Sequence, residues 1–241
     1  MTILGGADGN STQFAPGGNS PYFYVGQLGH GDTPYFTSQV SCGSANGFNP
    51  TLAQQASYVY GFWMLHGPLG TPAGMTDYEW GQKQGNAAVE SWVNQQCVKQ
   101  VTVFADVEYD SGINQWFYSY PTPPSASEQG RNFQVLLGFG NALIHPVAPY
   151  NLISLKLGVY CSPTTWSVMM GSQTLADAYA SAAWTWRNRN FSTFPITWTI
   201  NGSEENPQSF GGMDPVFWQY DDDVTANQDY DACRGSAYLP E

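Results

Sequence analysis

Short apolar runs alternate along this chain with longer stretches whose apolar positions recur every three to four residues. "YFYVGQL" (22–28) reads as a strand closed by the turn "GHGD". "NPTLAQQA" (49–56) predicts a short helix capped at Asn49, with Pro50 at its first position. "SYVYGFWMLHGP" (57–68) is aromatic and stopped by Gly-Pro, as a buried strand would be. "DYEWGQKQGNAAVESWVNQQCVKQ" (77–100) predicts a helix with Ala88 and Trp92 on one side, joined by Val89, Val93 and Cys97. A strand follows over 101–108, then a helix over 125–144 in which Ser125 and Glu128 form a capping box. "LKLGVYCSP" (155–163) is strand-like, and "PTTWSVMMG" (163–171) is a short helix stopped by Gly171. "AAWTWRN" (182–188) and "DPVFWQYDD" (214–222) complete the strands.

Strands alternating with helices, with no linker between them, predict an α/β fold with a largely parallel sheet. Two of the strands end in acids, which suits a (β/α) barrel, where chemistry collects at the C-terminal strand ends. No G-x-G-x-x-G follows a strand, so a dinucleotide-binding sheet is disfavoured. Residues 1–20 are rich in Gly, Asn and Ser without a period and read as a flexible or assembly arm. Residues 21–241 read as one domain. The arm has few large apolar side chains (Ile3, Leu4, Phe14), so ordering it needs outside contacts. The expected contact is a second subunit, giving a homo-oligomer or filament.

Composition narrows the function. Of 241 residues 42% are apolar and 15% aromatic, enough for a substantial core, while only 11% are charged. A net charge of −12 with no basic patch excludes nucleic acid and anionic membrane as partners. No run approaches the roughly 18–20 apolar residues of a membrane helix. Solubility carried by Asn, Gln, Ser, Thr and Tyr suits an extracellular protein. "MTILGGADGNSTQFAPGG" has neither a basic region nor an apolar one, so export would use a signal removed from the chain or another route. Asn10, Asn190 and Asn201 each open an Asn-X-Ser/Thr sequon. Cys42, Cys97, Cys161 and Cys233 are too dispersed for zinc, and no metal or other cofactor is expected. Two disulfides fit an oxidising compartment, with three connectivities open and buried free thiols as the alternative. Cys161–Cys233 is preferred, because both should follow strands ending on one face. The run "DDD" (221–223) lacks calcium-loop spacing and reads as an acid-rich rim.

"VTVFADVEYDSG" (101–112) ends an apolar run with Asp106, Glu108 and Asp110. On a strand these acids share one face, opposite Val103, Ala105 and Val107. The plain alternative is a strand running out into a solvated acidic loop; against it, repulsion among such acids suggests a built site.

"FADVE" (104–108), "GVYCSPTTW" (158–166), "VFWQY" (216–220) and "DYDA" (229–232), with "YEWGQKQGNAAV" (78–89) and "NFQVLLGF" (132–139), occur in an order that resembles the glycoside-hydrolase-like domains related to family 25 lysozymes. The resemblance spans about residues 57–235. It implies an irregular (β/α) TIM-like barrel with an acidic groove at its strand ends. It implies that Asp106 and Glu108 are the catalytic carboxylates, and that Trp218, Gln219, Tyr220 and Asp229 or Asp231 line the groove. Such lysozymes also carry an Asp on the first barrel strand, and "YFYVGQLG" (22–29), read as that strand, has none.

Glycoside cleavage needs one protonated carboxyl and one carboxylate. Residues i and i+2 on a strand lie about 6.5–7 Å apart at Cα, which fits inversion or assistance by a substrate acetamido group. Glu108 is expected to be the acid and Asp106 to stay ionised. Asp110 and His66 are expected beside the substrate, and Trp63, Tyr160, Trp186, Trp218 and Tyr220 stand at strand ends, where aromatic faces can stack on sugar. His30 and His145 read as loop residues, and Trp80, Trp92 and Trp166 as core. No Ser-His-Asp arrangement supports a serine hydrolase. The expected function is a secreted hydrolase of an amino-sugar or cell-wall glycan. The alternative is an inactive glycan-binding or structural assembly protein on the same barrel.

Overall fold

The computed structural model describes residues 3–9, 20–35, 49–110, 112–175, 180–186, 198–201, 206–223, 228–236 and 239–240. Along these run β1 (Leu4–Gly9), β2 (Phe23–His30), β3 (Thr33–Pro34), α1 (Pro50–Gln55), β4 (Tyr58–Met64), α2 (Asp77–Asn94), β5 (Thr102–Asp106), α3 (Ala126–Ile144), β6 (Lys156–Cys161), α4 (Pro163–Met170), β7 (Ala180–Trp186), β8 (Pro215–Asp223) and β9 (Gln228–Cys233). Local chemistry sets the helix starts. Asn49 Oδ1 accepts from the Thr51 and Leu52 N–H groups at 2.9 and 3.0 Å, and Thr76–Glu79 and Ser125–Glu128 close full capping boxes.

The strands follow the order β1-β9-β8-β7-β6-β5-β4-β2, and a β1–β2 pairing closes the ring into an eight-stranded α/β barrel. β3 adds a hairpin edge to β2. All neighbours in the ring are parallel except β9, which is antiparallel to both β8 and β1. The strand period of two sorts side chains to two sides of the wall. Phe23, Val25, Tyr60, Phe104, Trp184 and Phe217 fill the interior, with Phe23 and Phe217 stacked at 4.4 Å. Tyr24, Val59, Val103, Ala105 and Val159 point outward to the core shared with the helices. Below, Leu239 packs on the interior cluster and the Tyr60 hydroxyl donates to the Pro240 carbonyl at 2.7 Å.

α2 and α3 approach so closely that glycine is required between them. A Cβ on Gly81 would stand 2.0 Å from the Val135 carbonyl oxygen, and one on Gly138 2.0 Å from that of Tyr78.

Two sequence expectations are overturned here. Residues 4–9 are not part of an arm but the first barrel strand, hydrogen-bonded between β2 and β9 of the same chain. Their order needs no second subunit; residues 10–19 lie outside the described ones. The signal was hidden because "LGGADG" lacks the β-branched and aromatic residues that mark a strand. Gly6 is there because a Cβ would meet the Phe23 ring at 2.2 Å. The preferred Cys161–Cys233 disulfide does not form: both are buried free thiols. Cys161 faces the helices and Cys233 the barrel interior, so the wall stands between them. Cys42 lies outside the described residues. Among the described residues, no helix is long and apolar enough to cross a membrane.

Candidate active site

The parallel strands all end at one mouth, and acids stand there. Asp106 closes β5 on the interior face, between Met64 of β4 and Tyr160 of β6. It is only 5% exposed, and its Oδ1 has no hydrogen-bond partner among the described residues. Burial first, and then the charge of Glu108, push its carboxyl well above the usual carboxylate range. Beyond β5 the Val107 N–H still donates to the Tyr160 carbonyl at 2.9 Å, and its side chain joins the outer core. Alternation therefore puts half-buried Glu108 on the same side as Asp106. Asn114 Nδ2 holds the Glu108 carbonyl at 3.2 Å.

Around the inner wall, the Tyr160 hydroxyl donates to Gln219 Oε1, and the Tyr160 and Trp184 rings lie 4.5 Å apart. Trp184 Nε1 donates to Asp231 Oδ1 at 2.9 Å. Asp231 is fully buried and in register with Gly6 of β1. Two residues further along β1, on the same face, stands buried Asp8, in register with Val25 and Asp229. The expectation that the first barrel strand lacks an Asp is thus corrected. That strand is β1, and Asp8 is near its C-terminal end. The sequence did hold a signal, a short run closed by an acid, as in β5.

The structure brings Asp106, Tyr160, Gln219 and Asp231 to the inner wall, with half-buried Trp186 packed beside the interior cluster. The backbone of Asp229 lies at the mouth; its side chain and those of 221–223 lie outside the described ones. Asp110 is exposed in a turn where its carbonyl accepts from the Ile113 N–H at 3.1 Å. Trp63, Trp218 and Tyr220 are not in the groove. Trp63 is fully buried in the helix-side core, its Nε1 donating to the Gly31 carbonyl at 3.2 Å. Trp218 and Tyr220 flank Gln219 on its strand, so they point outward, packing with Trp198 and Tyr230. His66 is tied to α2: its N–H donates to Gln84 Oε1 and its carbonyl accepts from Gln84 Nε2, at 2.8 and 2.9 Å. Its ring lies 5.4 Å from that of His30, and burial, then His30, lower its pKa. Among the described residues no three His, Cys, Asp or Glu side chains are placed to share a metal.

In (β/α) barrels chemistry collects at the C-terminal strand ends, which is where these buried carboxyls stand. Three solved structures are similar to the chain. One is a bacterial lysozyme from Streptomyces coelicolor, with TM-score 0.44 and 14% identity, covering 90% of this chain and 83% of that one. Another is a family GH25 lysozyme from Aspergillus fumigatus, with TM-score 0.46, 12% identity and coverage of 97% and 95%. The third is the modular autolysin LytC from Streptococcus pneumoniae, in complex with a synthetic peptidoglycan ligand, with TM-score 0.42, 11% identity and coverage of 95% and 46%. No protein-family model and no curated protein sequence matches the chain. With TM-scores below 0.5, these likenesses leave the functional reading to rest on the residues themselves.

Proposed function

We propose that the chain is an extracellular glycoside hydrolase acting on an amino-sugar or cell-wall glycan, with Asp106 and Glu108 as its working pair. One observation carries this: a carboxyl buried at the mouth and held above its ordinary range by burial and by a second carboxyl two residues away. Such a dyad retains one proton between its members where isolated carboxyls would have lost both. Glu108 is the more accessible member and delivers that proton to the leaving oxygen; the remaining negative charge, shared with Asp106, faces the oxocarbenium-like centre. This revises the expectation that Asp106 stays ionised while Glu108 alone holds the proton. Asp8 and Asp231 add acids to the same wall. The inactive alternative drew on a first strand without an Asp, and Asp8 removes that ground.

Release of reducing ends from peptidoglycan and chitin, followed from pH 3 to 8, tests the reading. Release from at least one of them is expected; none from either, at any pH, overturns it. Extracellular location is part of the same proposal; Cys97 is not among the free thiols of the described residues.

The pH dependence of stability follows from Asp106. Its folded pKa is raised, so its contribution is fully present below the unfolded value of about 3.9 and is lost as pH rises through the folded value. Asp106→Asn, which strands no partner of Oδ1, is expected to raise Tm at pH 8 and to leave it nearly unchanged at pH 4. Melting curves at both pH values check this; a lower Tm for the variant at pH 8 would mean that the carboxylate is stabilised where it sits.

A further inference from the structure

The segment between β5 and α3 holds an aromatic surface that the carboxyl dyad does not use. Tyr109 directly follows Glu108 and is 43% exposed. Its ring stacks on that of Tyr118, with centroids 4.2 Å apart and planes 17° from parallel. Ile113, on the same segment, is 52% exposed. Large apolar side chains left in water beside a reactive centre call for an explanation that the core cannot supply.

The segment is built to hold them still. Trp116 is buried in the helix-side core. Asn132 of α3 grips Phe117 through both backbone groups: the Phe117 N–H donates to Asn132 Oδ1 at 3.2 Å, and Asn132 Nδ2 donates to the Phe117 carbonyl at 2.9 Å. Asn114 ties the segment back to the Glu108 carbonyl. A second run joins in, the Gly67 N–H donating to the Asn114 carbonyl at 2.7 Å. A platform fixed this way loses little freedom when something lands on it.

Its chemistry selects the visitor. From residue 111 to residue 127 there is no charged side chain, in a protein whose net charge is −12. Glu108 and Asp110 flank Tyr109, so an anionic ligand would be repelled at the rings as well as by the protein as a whole. A neutral ring with an apolar C–H face and hydroxyl edges fits, because its C–H bonds meet the electron-rich face of tyrosine while its edges stay in water. We propose that the Tyr109–Tyr118 pair is a stacking subsite for one pyranose ring of the glycan, adjacent to the ring cleaved at Glu108. The inference rests on the glycan reading above and adds the place and the residues of a specific contact.

The test is a binding measurement in a chain that cannot turn substrate over. In a Glu108→Gln background, the N-acetylglucosamine tetramer and a soluble peptidoglycan fragment are titrated by calorimetry. Adding Tyr109→Ala is expected to raise Kd about tenfold, within the range of one aromatic stacking contact. Adding Tyr109→Phe, which keeps the ring, should change Kd less than about twofold. Tyr109 is at the surface, so equal melting temperatures will show that the fold is kept. If the background chain binds a ligand and Tyr109→Ala binds it equally well, the subsite is wrong and the glycan reading stands. If the background chain binds neither ligand, and the unmutated chain releases no reducing ends, both fall.

Discussion

Glu108→Gln is expected to lower glycan cleavage by about 10²–10⁴-fold, the range of a lost general acid. The amide keeps the size of the side chain but can neither give up a proton nor carry the charge left behind. It also removes the neighbour that helps to push Asp106 upward, so Asp106 should titrate closer to its ordinary range in the variant. The loss should fall on kcat, with KM changed little, because the group acts on the reacting bond rather than on binding. Initial rates with the best glycan of the panel give this directly. A variant retaining more than about a tenth of the activity would move the acid elsewhere, and Asp231 and Asp8 would be the residues to test next.

The largest effect on stability is expected at the α2–α3 contact, and its sign separates two arguments. Replacing a helical glycine by alanine should stabilise by about 1 kcal/mol on propensity alone. At Gly130 a Cβ meets nothing within 4 Å, so Gly130→Ala should gain roughly that amount. At Gly138 the new Cβ would stand 2.0 Å from the Tyr78 carbonyl oxygen. That oxygen belongs to the backbone of α2 and cannot rotate away, so the helices must separate along their length. Gly138→Ala is expected to lose about 1–3 kcal/mol or more, a fall in Tm of several degrees for a chain of this size. Both variants sit in one helix, and melting curves run side by side compare them. Equal shifts would show that the helices yield without cost.

What could be read from the sequence was local. The helix starts at Asn49, Thr76 and Ser125 depend on side chains within three residues of the cap, and at Asn49 and Ser125 the residue pattern announced them. The Asp106–Glu108 spacing was visible because both acids follow one strand. What depends on which side of the wall a residue faces was not. In "VFWQY" every position but Gln219 is apolar or aromatic, since the strand is buried on both faces, so alternation by polarity could not show that Trp218 and Tyr220 point outward. The Gly6 register in β1 is dictated by a ring on β2, a contact distant in sequence. Asp8 was therefore left in an apparent tail.

The pairing of β1 with both β2 and β9 also has a kinetic side. Its β9 bonds join residues 4–9 to residues 228–233, almost the greatest separation the chain offers. During synthesis β1 can meet β2 early, yet the ring stays open until the last strand has left the ribosome. Contacts of such long range close slowly, and until then an unpaired edge of β1 and the aromatic lining beside it face the solvent. The step most exposed to aggregation should therefore be the closing one, when the first and last barrel strands find each other.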